Sequence, residues 1–356
     1  MLKLLKKSNF DMGELMNVKE CKIGIIGGGS IGVTLAVALT SLGYDVEMVV
    51  RTVRGVKIDN SYSYTIKGDF GDKNYLIKTF KKVENFSEGL DFIFVTTKSY
   101  DSIELIKRCQ NKLTENGTVV TIQNVYSLNR IEKIIPSNKV ICAVLDFNTT
   151  NVNNVFYVKN FNGITLGIYD TEAYQPMILL SNILKNVCKV FITKDIVGFI
   201  MGRNIINLAV SSLGAISGLN LGQILDTKYG KRIFVEIIKE SVSVVRQYNI
   251  NILPYNNQLD YYKFCDDKFV SKIYRQKILT ALRKNNGDIK SSALQDLEKG
   301  RKTELSFVVE ILQEYSKKSN IAIPNIDKIY TMILEIENGE RQINKNVFKN
   351  KSLINL

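Results

Sequence analysis

Three short clusters in this chain have residue types and spacings that could do chemistry. The first is "GIIGGGSIG", where Gly27, Gly29 and Gly32 have G-x-G-x-x-G spacing immediately after a β-branched run. In such a turn the first glycine makes the tight bend. The second lets the backbone approach a pyrophosphate, and the third lets the following helix pack closely on the strand. Ser30 and Ile31 then lie at the helix start, where free N–H groups and the positive dipole end favour phosphate. The second cluster is Arg203, Asn207 and Ser211 in "FIMGRNIINLAVSSLGAISGLNLGQIL". Their i, i+4, i+8 spacing drifts by only about 40° per step, so all three share one helix face. Neither an apolar core nor a lipid face readily accepts such a row, so the helix is expected to line a cleft in a soluble protein. The third is "SSALQDLEKGRKTE", with Ser292 and Asp296 four residues apart. Gly300 is expected to turn the chain and Thr303 to cap a helix with Glu304 in its first turn, where the dipole favours a carboxylate. Taken alone, Glu304 there would be an ordinary first-turn acid.

Composition removes several alternatives. The chain has 356 residues and no histidine. Imidazole general bases and the usual Cys/His zinc sites are therefore excluded, and proton transfer falls to Lys, Glu, Asp, Tyr, Cys or water. The five cysteines are widely spaced with no Cys-x-x-Cys pair, as in a reduced, cytoplasmic protein. The net charge of +13 would suit an anionic partner. The lysines are spread along the chain without a basic block, so a solvated basic surface is favoured and neither a nucleic-acid nor a membrane partner is expected.

The elements that must hold the clusters divide the chain. Residues 1–21 form an extension without assigned function. From Lys22 the pattern runs strand (22–26), small-residue helix (30–42), strand (45–50), opening a βαβ unit. Further strand runs are "LDFIFVTTKSYD", ending at Thr97 and Lys98, "GTVVTIQNVYS", ending at Asn124, and "KVICAVLDFNTT". A helical connection is expected near 175–187. Residues 22–194 thus read as a Rossmann-type doubly wound sheet and 195–338 as an all-helical domain, in the α/β class. Residues 339–356 read as a poorly ordered polar tail.

In doubly wound sheets ligands sit at the carboxyl ends of the strands, where Lys98 and Asn124 fall. At the end of the second strand a carboxylate would accept from the ribose of NAD, but here stand Arg51 and, close behind, Arg54. A guanidinium suits a 2′-phosphate, so NADP(H) is the expected cofactor. The bland alternative is a solvated arginine at a strand end. Glu47, within the strand, cannot replace the carboxylate.

From Lys22 to about Glu335 these blocks, in this order, resemble the ketopantoate reductase family. The glycine fingerprint with Arg51, Lys98 after a strand, Asn124 in a "QN" strand end, the Asn207 helix, the Ser292/Asp296/Glu304 block and "IAIPN" carry the resemblance. It implies a Rossmann domain followed by a helical domain, NADPH-dependent reduction of 2-dehydropantoate in pantothenate biosynthesis, and compatibility with a homodimer. Arg51 and Lys98 would reach the 2′-phosphate, and Asn124 would lie near the nicotinamide and substrate. Asn207, Ser211, Ser292, Asp296 and Glu304 would hold substrate, with Arg203, Asn207 and Glu304 catalytic. The departures fall on the substrate side. Arg203 stands at the family's catalytic lysine, Ser211 at its second helix asparagine, Val125 after the strand-end asparagine, and Val309 and Glu310 at a usual Asn-Gly pair. Two alternatives follow: a paralogue acting on another 2-oxo acid or an imine, and a non-catalytic NADP(H)-binding regulator.

Overall fold

The structure is a computed structural model, and it describes residues 20–69, 71–97, 99–122, 131, 133–255, 258–288 and 290–349. These residues form two compact units, one of residues 20–122 and 131–192, the other of residues 193–349.

The first unit contains ten strands: β1 (Lys22–Ile26), β2 (Asp45–Val49), β3 (Val56–Ile58), β4 (Ser61–Gly68), β5 (Lys73–Phe80), β6 (Leu90–Val95), β7 (Leu113–Thr121), β8 (Val140–Val152), β9 (Val155–Gly167) and β10 (Val190–Ile192). Six of them, in the order β5-β2-β1-β6-β7-β8, pair in parallel. The order reverses at β1, which is the topological switch point of a doubly wound sheet. The parallel strands are near-continuous apolar runs because both faces are covered. Helices α1 (Ser30–Ser41) and α3 (Tyr174–Leu184) share one core with Ile23, Ile25, Met48 and Phe94. Ile106 of α2 (Ser99–Cys109) lies in the other core with Ile26, Ile93 and Val119.

Hydropathy marked the runs that become β8 and part of β9, "KVICAVLDFNTT" and "NFNGITLGIYD", but not the β3–β5 meander. β8 and β9 form a long hairpin turned by Asn153 and Asn154, both at positive φ (50° and 63°), the conformation that tight hairpin turns need. Past the turn, β9 pairs with β4 from Thr65↔Val155 to Gly68↔Val158. Phe156 and Val158 thereby join the core of Leu35, Tyr64 and Ile66, and the Thr149 and Thr34 hydroxyls meet at 3.0 Å. Residues 32–39 of α1 are consequently all buried, which is why this helix is small and apolar on every side rather than amphipathic.

The second unit is built on α4 (Ile196–Ser217), followed by α5 (Leu221–Asp226), α6 (Lys228–Val245), α7 (Tyr261–Cys265), α8 (Phe269–Asn286), α9 (Ser292–Glu298), α10 (Leu305–Ser319) and α11 (Pro324–Glu337). Asp195 caps α4, accepting from Gly198 N at 2.8 Å, and Gly218 ends it at φ 70°. By length and a mean hydropathy of 1.5, α4 could cross a membrane, but 72% of that stretch is buried inside the protein. It is a core helix. α6, α9, α10 and α11 pack around it. The start of α11 is capped from α6: the Glu240 carboxylate accepts from Asn325 N, Asn325 Nδ2 and Ile326 N at 3.0, 2.6 and 3.0 Å. Burial nonetheless pushes the Glu240 pKa up.

The expectation for the tail needs correction. Asn344 N donates to Ile216 O at 3.1 Å at the end of α4, and Val347 and Phe348 are buried. The polar sequence concealed two apolar anchors. All five cysteines are free thiols; burial pushes Cys21 and Cys188 up to about 11 and Cys109 and Cys265 up to about 12.

Candidate functional site

The glycine turn connects β1 to α1 at the switch point. Gly27 has φ +123°, and its N–H donates to Val49 O at 2.8 Å, tying the turn to the end of β2. A Cβ on Gly27 would lie 2.5 Å from Thr96 Oγ1, and one on Gly32 would lie 1.9 Å from Gly27 O. Both positions therefore need glycine for packing, quite apart from any ligand. Thr96, just past β6, donates its hydroxyl to Ile26 O at 2.9 Å. Arg54 Nη1 donates to Gly28 O at 2.8 Å and holds the turn from the other side. Neither role was legible from spacing, since Thr96 and Arg54 are distant in sequence from the turn they support.

Gly29 is different. It is the N-cap of α1 at φ −74°, ψ 179°, and a Cβ there would meet nothing within 4 Å. Nothing in the fold requires glycine at this point, whereas a phosphate brought against the backbone would. The first turn of α1 holds no acidic side chain, and no side chain caps it. Ser30 and Ile31 in that turn are half-buried. This is the geometry that accepts a phosphate on helix N–H groups, and a dinucleotide pyrophosphate fits it.

At the end of β2, Arg51 is exposed. Glu47, the nearest carboxylate on that strand, is 1% exposed and already engaged. It pairs with Lys78 and accepts from Ser87 N at 2.8 Å and Ser87 Oγ at 2.6 Å. Burial pushes its pKa up, but these partners outweigh burial and hold it below the ordinary value. Glu47 is thus a structural anion and cannot serve a ribose. Lys98, Asn124 and Val125 lie outside the described residues, as does Tyr126, a further candidate proton donor near Asn124 in sequence.

In the second unit, the less buried positions of α4 are Val197, Phe199, Arg203, Asn207 and Val210. Arg203 is half-buried and Asn207 is the exposed residue of the helix, while Ser211 is 8% exposed. The polar stripe therefore begins open and ends in the core. Gly202 lets a neighbouring loop pass close, since its Cβ would lie 2.3 Å from Leu253 O, and Tyr261 donates its hydroxyl to Gly202 O.

α9 and α10 both pack on α4, which brings the Ser292, Asp296 and Glu304 segments to the helix that carries Arg203. The local roles differ from expectation. Ser291 caps α9, accepting from Leu294 N at 3.3 Å, and Ser292 is its exposed first residue. Gly300 turns the chain at φ +64°. Thr303 does not place Glu304 in the first turn of α10. Its N–H and hydroxyl donate to Glu337 Oε1 at 2.7 and 2.8 Å, and Glu304 itself is the N-cap of α10. The Thr303 hydroxyl also accepts from Leu305 N at 3.4 Å, so Thr303 links the start of α10 to the carboxylate at the end of α11. Asp296 and Glu304 are half-buried. Asn204, beside Arg203 but off the polar stripe, is 8% exposed, with its Nδ2 lacking a hydrogen-bond partner among the described residues.

The profile of ketopantoate reductase PanE/ApbA matches residues 23–171, and that of its C-terminal part matches residues 195–337. The chain belongs to the ketopantoate reductase family. A 2-dehydropantoate 2-reductase of Aquifex aeolicus is 23% identical over 319 residues, covering 88% of this chain and 96% of that protein. Among solved structures, a PanE/ApbA family ketopantoate reductase from Ralstonia eutropha superimposes with a TM-score of 0.75 at 16% identity, over 90% of this chain and 100% of that one. D-mandelate dehydrogenase, in its ternary structure with NADH and anilino(oxo)acetate, gives the same TM-score and identity over 90% and 99%. Membership of this keto-acid oxidoreductase family rests on matches to both units.

Proposed function

We propose that this chain is a cytoplasmic, NADPH-dependent reductase of a 2-oxo acid, with 2-dehydropantoate as its first candidate and pantothenate biosynthesis as its context. One observation carries the cofactor half: in a family of keto-acid reductases, Gly29 presents an open, Cβ-free helix start for which packing gives no reason. Gly27, Gly29, Ser30, Ile31 and Gly32 would hold the pyrophosphate. Arg51, with Glu47 engaged elsewhere, favours a 2′-phosphate, and Lys98 and Asn124 are assigned to the same cofactor by resemblance.

Bound NADPH supplies the hydride. Arg203 polarises the keto oxygen and stabilises the alkoxide that develops on it, and Asn207 adds a neutral donor beside it. A guanidinium is a poor proton donor, so the proton comes from elsewhere than Arg203. That proton is assigned to water held by Glu304 or to another group such as Tyr126. Ser211, Ser292 and Asp296 complete substrate binding.

A second reading rests on Arg203 itself. Its fork can clamp a substrate carboxylate, which would make the substrate a different 2-oxo acid or an imine. The fold does not choose, since D-mandelate dehydrogenase with NADH superimposes as well as a ketopantoate reductase. Steady-state assays with NADPH and NADH over a panel of 2-oxo acids decide. Turnover of 2-dehydropantoate with preference for NADPH supports the first reading, and turnover of another acid alone supports the second. Tight NADPH binding without turnover of any acid would refute both and leave a nucleotide-binding regulator.

A further inference from the structure

On the second unit, two ion pairs flank α6 and α8, one from α6 to Asp267 just before α8 and one from α8 to Asp226 at the end of α5. Lys239 Nζ lies 2.8 Å from Asp267 Oδ1, and Arg283 Nη2 donates to Asp226 Oδ2 at 2.9 Å. Between these clamps runs a groove of about 310 Å³. α6 lines it with Lys228, Lys231, Arg232, Val235 and Glu236, and α8 with Lys272, Arg275, Gln276 and Leu279. On each helix the spacing is i, i+3, i+4, i+7, so each presents one whole face. Val235 and Leu279 are buried.

The charges are unbalanced. Five cations and one carboxylate, Glu236, line the groove, and of the five Arg275 alone is ion-paired among the described residues, with Asp267. Among the described residues, Lys228, Lys231, Arg232 and Lys272 make no ion pair within 4.0 Å. Arg275 is fixed at the mouth by Asp266 O at 2.7 Å and Asp267 Oδ1 at 3.2 Å, yet its buried Nε has no acceptor. The nearby carboxylates are engaged elsewhere, Asp226 by Arg283 and Asp267 by Lys239 and Arg275, so none of them forms an ion pair with Lys228, Lys231, Arg232 or Lys272. Like charges held in one groove repel and focus a positive field, which a multiply charged anion relieves. Arginine with clustered lysines suits phosphate oxygens, bidentate from the fork and point-charge from the ammonium groups. The volume falls at the lower end of the range for small-ligand pockets, roughly 300–1,000 Å³. A second copy of this chain docking face to face would set the same cations against each other, so an isologous contact does not explain the groove.

We propose that the α6/α8 groove is a binding site for an oligophosphate group, separate from the glycine turn of the first unit. The inference does not depend on the reductase reading. The probe is inorganic tripolyphosphate, titrated calorimetrically into the full chain, with sulfate at equal ionic strength as reference. Because the glycine turn also takes phosphate, the readout is a comparison of two double variants with the same change in net charge. Lys231→Glu with Lys272→Glu alters the groove, and Lys57→Glu with Lys107→Glu alters exposed sites of the first unit. The proposal expects the groove variant to lose at least about tenfold in affinity, as removal of several charge-assisted contacts should, while the other stays within about twofold. The milder pair Lys231→Gln with Lys272→Gln repeats the test if charge reversal impairs folding. Equal weakening by both double variants would reduce the effect to net charge and overturn the proposal. So would sulfate binding as tightly as tripolyphosphate, or binding only to vesicles containing phosphatidylglycerol.

Discussion

Replacing Gly29 by alanine separates packing from ligand binding at the glycine turn. The backbone at Gly29 is at φ −74°, ψ 179°, extended and open to any residue, and a Cβ there has nothing within 4 Å. Two small effects oppose each other. Alanine restricts the unfolded chain, which stabilises by about 0.4–1 kcal/mol, whereas it is a poorer N-cap than glycine by a similar amount. Thermal stability should therefore stay within about 0.5 kcal/mol of wild type, ordinary for a surface substitution. Nucleotide affinity should not. A phosphate oxygen meets a backbone N–H at about 2.9 Å, and a methyl group in that space forces it back. Loss of one hydrogen bond to a charged group costs roughly 1.5–3 kcal/mol, which is about 10- to 100-fold in Kd. The companion change Gly32→Ala should behave oppositely. Its Cβ would lie 1.9 Å from Gly27 O, so overpacking of about 1–3 kcal/mol lowers the melting temperature before any ligand is added. The assay is a thermal melt of each variant and a fluorescence titration with NADPH. A Gly29→Ala protein with wild-type Tm and wild-type NADPH affinity would refute the reasoning, because the open space would then not be nucleotide space.

Three further predictions follow from the same geometry. Arg51→Ala should raise the Kd for NADPH about tenfold or more while leaving that for NADH within about twofold, as loss of a charge-assisted phosphate contact requires; equal effects on both would remove the 2′-phosphate assignment. Arg203→Lys should increase kcat on 2-dehydropantoate if the native site is specialised for another acid, and should lower it if the guanidinium is the electrophile for this substrate; stopped-flow kinetics with both proteins distinguish the two. Glu47→Ala should cost about 2 kcal/mol in urea unfolding, because Lys78 and the Ser87 N–H lose their acceptor. The pKa of Glu47 is lowered in the fold, so its contribution is present above its ordinary value of 4.5 and is lost as pH falls through the lower folded value. Unfolding at a series of acidic pH values should therefore show a smaller gap between wild type and variant at the acid end.

The βαβ front end was legible because its signals are local. Strands 22–26 and 45–49 and helix 30–41 follow from β-branched runs and a glycine hinge. The β3–β5 meander was passed over, although "SYSYTIKG" alternates as a half-buried strand does; its apolar residues find partners only when β9 arrives from beyond residue 150. Spacing placed Arg203, Asn207 and Ser211 on one face of α4, but their burial depends on which neighbours cover that face, and Ser211 proved to be in the core. The second partner of Thr303 at the start of α10 was passed over for a related reason. Glu337 lies 34 residues from Thr303, and no local pattern announces a carboxylate that arrives from another helix. Glu240 at the start of α11 is a second case, reaching across 85 residues to Asn325.

The central claim is that this chain passes a hydride from NADPH to a 2-oxo acid, with Arg203 as electrophile. The most direct measurement is single-turnover mixing of purified protein, preloaded with NADPH, against 2-dehydropantoate, followed at the nicotinamide absorbance. The account predicts rapid, stoichiometric loss of NADPH in wild type, slowed in Arg203→Ala by about two to three orders of magnitude, the cost of removing one oxyanion donor. Loss of NADPH at the same rate in wild type and Arg203→Ala would contradict it.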